Sequence, residues 1–166
     1  MRIRNMIIAY AAAFLLQMTF ANDIAVMGTG PDLILVLTIV LCYMYADCYP
    51  VIICSTAFAF LHDLLLSPYV GIYALAMLLT GIAVMFASRF FNRENPLPLA
   101  GVLAAGTLLC SLVQWIVYAV SPVEGSLMLM LKNLPVLIIY DLIIGLVAFF
   151  VVMKYRKRKK KSRYYL

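Results

Sequence analysis

Residues 60–75, FLHDLLLSPYVGIYAL, hold two apolar runs parted by Ser67-Pro68-Tyr69, with an acid, Asp63, about one turn before the break. Proline lacks an amide and disfavours helical geometry in the residue before it, so the first run ends there. Gly71 opens the second run and permits close backbone approach. The stretch reads as two helices joined by a tight turn, each apolar on most of its circumference. A helix apolar all round is buried in protein or in lipid. The rest of the chain decides between those two.

Of the 166 residues, 66% are hydrophobic and only 12% are charged. A soluble domain is nearer half apolar and about a quarter charged. Such a chain cannot cover its surface with polar groups in water, so its solvent is lipid. At about 20 residues per span, the length holds six helices and no separate soluble domain. The expected architecture is an all-α integral membrane protein, a compact bundle of six transmembrane helices over residues 1–153. Its spans are expected at about 6–21, 33–46, 49–66, 70–88, 97–120 and 134–153, with a basic tail over 154–166. Gly30-Pro31-Asp32 opens the second span, and Pro50 stands where the third begins, where a missing amide costs nothing. Several runs fall short of twenty residues, which calls for little tilt or for neighbours that shield the helix ends.

Orientation follows from the basic residues. With both termini in the cytoplasm, the inner side carries Arg2, Arg4, Arg89, Arg93 and the eight cations of KYRKRKKKSRYYL, leaving only Lys132 outside. That is a one-sided positive-inside pattern, so N-in and C-in is expected. Residues 22–32, 67–69 and 121–132 then face outward. The N-terminal Arg2, Arg4 and apolar run resemble a signal peptide, but Thr19-Phe20-Ala21 is a poor cleavage site, so an uncleaved first span is expected. In the tail, Lys154, Arg156, Lys157, Arg158, Lys159, Lys160, Lys161 and Arg163 suit anionic lipid headgroups better than nucleic acid, because they abut the membrane.

The seven acids divide by position. Asp23, Asp47, Glu94 and Glu124 fall in loops, where a solvated charge needs no special account. Asp32 stands at the start of the second helix, where free amides and the dipole favour a carboxylate; it is either a cap or a functional acid. Asp63 stands near a helix C-terminus, where the dipole opposes it. Asp141 lies seven residues into the last span, where a charge costs about 2.5–3.5 kcal/mol on insertion scales. It is a functional acid or a buried one, either protonated or hydrogen-bonded to a nearby Tyr, Ser or Gln.

Enzyme chemistry lacks its parts. The single histidine, His62, excludes an H-E-x-x-H metal site, and no spacing singles out Ser55 or Ser111 as a nucleophile. Cys42, Cys48, Cys54 and Cys110 show no zinc spacing and serve as small apolar packing residues, so no cofactor is expected. Small residues four apart, at Ala9 and Ala13, Ala83 and Ala87, and Gly101 and Ala105, mark faces where helices can approach closely, within the chain or with a partner.

The run PDLILVLTIVLCYMYA followed by FLHDLLLSPYVGIYALAMLLTGI resembles the rod-shape-determining MreD family. The likeness rests on Pro31, Asp32, Leu33, Asp63, Leu64, Gly71, Ala74 and Leu75, with length and a basic C-terminus in agreement. Two departures stand out. The family often has glycine where this chain has Ala59, and tends to have asparagine near the position of Asp141. The resemblance implies a non-enzymatic component of the cell-elongation complex in the bacterial cytoplasmic membrane. It would associate with MreC and help position or regulate lateral peptidoglycan synthesis. RodA, a class B penicillin-binding protein and MreB would be direct or indirect partners. The alternative is the substrate-binding subunit of an energy-coupling-factor vitamin transporter, similar in size and layout, which docks through an Ala-x-x-x-Ala face such as Ala9 and Ala13 form.

Overall fold

A computed structural model describes residues 3–20, 30–45, 47–67, 69–91, 95–120 and 127–163. Within them the chain forms α1 (Ile3–Phe20), α2 (Leu33–Met44), α3 (Tyr49–Leu66), α4 (Ile72–Ala87), α5 (Pro96–Val120) and α6 (Leu127–Arg163). Three stretches are long and apolar enough to cross a membrane: Tyr49–Leu66, Pro96–Ala119 and Lys132–Lys154. α1, α2 and α4 are shorter apolar helices. Large apolar side chains such as Ile53, Leu65, Val147 and Phe150 stand more than half exposed, as a lipid-facing surface requires.

α2 is the axis of the bundle. Its run has no glycine or proline, Asp32 Oδ1 accepts the Leu35 amide at 3.0 Å, and Thr38 donates back to the Ile34 carbonyl at 2.7 Å. From Ile34 to Met44 every residue except Leu37 is buried. α2 touches all five of the other helices, and they follow around it in the order α1, α3, α4, α5, α6. α1 and α6 do not meet among the described residues, so the arc is open on that side. Met6, Tyr10 and Phe14 form the buried stripe of α1, and the Tyr10 hydroxyl donates to Thr38 Oγ1 at 3.0 Å, whose own proton is already given to Ile34. Between α5 and α6 the Leu103 side chain packs onto Gly145, where a Cβ would lie 2.5 Å from Leu103 Cδ1.

Successive helices run in opposite directions. The end of α1, the start of α2, the end of α3, the start of α4, the end of α5 and the first part of α6 all border one cavity. Arg4, Arg89 and Lys154 therefore lie toward the other end. Arg2, Ala21, Asn22, Asp23, Ala46, Pro68, Arg93, Glu94 and Glu124 lie outside the described residues.

The helices fall within a few residues of most of the expected apolar runs, but the last does not. α6 begins at Leu127, so residues 127–133, expected as loop, are helical, and Pro135 sits inside the helix. Nor does the helix stop at Met153: it continues to Arg163, so the basic segment is an extension of the span. At about 1.5 Å per residue the 37-residue helix is roughly 55 Å long, well beyond the ~30 Å hydrocarbon core. Lys154 is exposed; the side chains of Arg156, Lys157, Arg158, Lys159, Lys160, Lys161 and Arg163 lie outside what is described.

Candidate functional site

The acid that its own helix dipole opposes proves to belong to the next helix. α4 begins after Gly71, which has φ +100° and no capping side chain. Its free amides are met by Asp63, whose Oδ2 accepts from Gly71 N at 3.0 Å, Tyr73 N at 3.0 Å and Ala74 N at 3.2 Å. The unfavourable dipole of α3 costs about 0.3–1 kcal/mol. Hydrogen bonds to a charged group contribute about 1.5–3 kcal/mol each, so the three amides decide the placement. The expected role of Gly71 is corrected here: a Cβ would meet nothing within 4 Å, so it is the left-handed backbone, not close approach, that calls for glycine.

The contacts continue from helix to helix. The Tyr73 hydroxyl donates to Asp32 Oδ1 at 2.5 Å, where the Leu35 amide also arrives. The Asp32 amide donates to Asp141 Oδ1 at 3.3 Å, and Thr107 donates to Asp141 Oδ2 at 2.8 Å. Ile34 N completes the set by donating to Gln17 Oε1 at 3.2 Å. Through Gln17, Asp32, Asp63, Tyr73, Thr107 and Asp141, all six helices enter one polar cluster. Asp63 and Asp141 are almost fully buried, at 2% and 1% exposure, and among the described residues the hydrogen bonds to all three carboxylates come from neutral amides and hydroxyls. At Asp32, just outside α2, burial pushes the carboxyl up, while the Tyr73 hydroxyl and Leu35 amide pull it back.

A cavity of about 470 Å³ adjoins this cluster. Asp32, Asp63, Tyr73 and Gln17 border it from one side, and Ser111, Gln114 and Tyr118 of α5 from another. His62 also lines it, with its ring 5.1 Å from that of Tyr73 and its buried Nδ1 without a hydrogen-bond partner. Among the described residues, no three His, Cys, Asp or Glu side chains group as metal ligands would.

Five expected site residues thus converge: Pro31, Asp32, Asp63, Gly71 and Asp141. The partner of Asp141 is Thr107, not the Tyr, Ser or Gln expected. Tyr73, Thr107 and Gln17 went unremarked in the sequence. Gln17 is the one amide side chain late in the first apolar run, and that was its available signal. The small-residue positions lie elsewhere. Ala9 and Ala13 are half-buried on α1, whereas Gly101 and Ala105 are exposed and border an apolar groove of about 370 Å³ with Ala83 and Ala87.

No known family model matches the chain, and no curated protein and no solved structure matches it either.

Proposed function

We propose that this protein is a non-enzymatic component of the bacterial cell-elongation complex, holding six spans in the cytoplasmic membrane with both termini inside. In this reading it associates with a partner of the MreC type and helps position or regulate lateral peptidoglycan synthesis, with RodA, a class B penicillin-binding protein and MreB nearby. The observation that carries the reading is the convergence of the resembling residues. Asp32, some thirty residues before Asp63 and Gly71, meets them in one cluster whose hydrogen bonds hold helix ends together. Asp32 Oδ1 and Asp63 Oδ2 each accept more than one hydrogen bond inside the protein, which ties the helix ends together as a scaffold needs.

The finer topology rests on physical argument. α2 is only about 18 Å long at 1.5 Å per residue, yet five neighbours pack around it, which shields most of its length from lipid. The basic ends of α1, α4 and α6 share one end of the bundle, which the positive-inside rule assigns to the cytoplasm. The basic segment that extends α6 past Lys154 is suited to anionic headgroups at the membrane surface. The open side of the arc, between α1 and α6, is where we place a single membrane helix of the partner.

The 470 Å³ cavity favours a second reading, the substrate-binding subunit of an energy-coupling-factor transporter. One experiment separates the two. The tagged protein is purified from native membranes in mild detergent, and its companions are identified by mass spectrometry. Recovery of MreC, RodA or a penicillin-binding protein supports the elongation reading. Recovery of a transmembrane coupling subunit with paired ATPases replaces it with the second.

A further inference from the structure

We propose that the cavity beside Asp32 and Asp63 is a binding site for a small protonated amine, free or carried on a lipid headgroup. The inference goes beyond the elongation reading and does not need it, because it uses only the cavity wall.

The volume, about 470 Å³, is in the range that holds small ligands, about 300–1,000 Å³. The chemistry of the wall selects the occupant. Among the described residues, two carboxylates border it and no lysine or arginine does. Each carboxylate concentrates its hydrogen bonds on one oxygen: the Leu35 amide and Tyr73 hydroxyl both reach Asp32 Oδ1, and the three amides of α4 all reach Asp63 Oδ2. Their donors are neutral, so a cation in the cavity meets charge that the protein itself has not neutralised. An anion would be repelled, and an apolar ligand would strip water from polar groups and offer nothing in return. His62 Nδ1, buried and without a partner, is a further group that an ammonium N–H can satisfy. Gln114 and Ser111 add neutral hydrogen-bonding groups from α5. An ammonium, with its several N–H donors, fits a wall of dispersed acceptors better than a metal ion, which needs clustered ligands.

The test uses the chain's single tryptophan, Trp115, next to the wall residue Gln114, as a fluorescence reporter. The full-length protein is placed in phosphatidylglycerol nanodiscs and titrated with putrescine and ethanolamine. In a parallel arm phosphatidylethanolamine is introduced into the discs. Acetate and ethylene glycol serve as anionic and neutral controls. A saturable change of Trp115 emission with the soluble amines assigns a free amine; a change only with phosphatidylethanolamine assigns a headgroup. Either supports the proposal, provided binding weakens about tenfold or more, roughly one hydrogen-bonded contact, in Asp32→Asn and in Gln114→Leu. Gln114 stands outside the acid cluster and donates to Cys110 Sγ at 3.5 Å, so Gln114→Leu keeps the test valid where Asp32→Asn fails to fold. No saturable change in either arm, an equal response to acetate or ethylene glycol, or parent-like binding by the folded variants would overturn it. The purification above is independent of this outcome, so failure of the amine site leaves the elongation reading standing, and the reverse.

Discussion

Two of the spaces that the bundle leaves have walls that differ in kind. At one end, three carboxylates, a tyrosine, a threonine and a glutamine from six helices meet beside a polar cavity. Between α4 and α5, the groove is walled among the described residues by small and apolar side chains, Phe91 and Pro98 included, with no charge. In a lipid-facing protein a backbone amide has no water to turn to, so a carboxylate that ends up inside is there because it satisfies donors. Small residues carry no such obligation. The acids are therefore fixed by what they hold, while Gly101 and Ala105 are free to vary as far as the fold is concerned.

Substitution should split the two regions widely. Asp63→Leu leaves three amides of α4 without their acceptor and is expected to lower stability by about 3 kcal/mol or more, while Ala105→Leu in the groove changes it by less than about 0.5 kcal/mol. Thermal unfolding of the purified variants in the same detergent measures both. Equal losses would erase the distinction. Asp141→Leu removes the acceptor of Thr107 and of the Asp32 amide, with an expected loss of about 2 kcal/mol; Asp141→Asn keeps an acceptor oxygen and stays within about 1 kcal/mol of the parent. A large loss in Asp141→Asn would show that the charge, and not the hydrogen bond, matters there.

Smaller effects sharpen the contrast. Thr107→Val is isosteric and deletes one hydrogen bond, so about 1 kcal/mol is expected from chemical denaturation. Gly145→Ala forces Leu103 aside and should cost about 1 kcal/mol, whereas Gly101→Ala meets nothing within 4 Å and should be neutral or gain a few tenths of a kcal/mol in helix propensity. Comparing the two unfolding midpoints checks this directly.

What could be read from the residues follows the range of the interaction. The Asp32 cap was readable because the carboxylate and the amide it accepts are three residues apart. The helices were readable from apolar runs bounded by Pro31, Pro50 and Ser67-Pro68. Asp63 could only be marked as misplaced, since the amides that explain it begin eight residues later, across a turn. The contact between Thr107 and Asp141 spans 34 residues and leaves no local signature. The central place of α2 was hidden for a different reason: when both protein and lipid are apolar, a buried helix and a lipid-facing one have similar side chains. Its shortness was the one clue. The tail's continuation of α6 was missed because a run of cations marks a membrane boundary without ending a helix.

The most direct test of the acid cluster is amide hydrogen exchange at the start of α4, at Gly71, Tyr73 and Ala74, in the parent and in Asp63→Ala. If Asp63 holds the first turn of α4, protection at these three amides falls sharply in the variant while the middle of α4 keeps its own. Unchanged protection at Gly71, Tyr73 and Ala74 would mean that the turn stands without the carboxylate, and the account of why an acid lies near the end of α3 would be wrong.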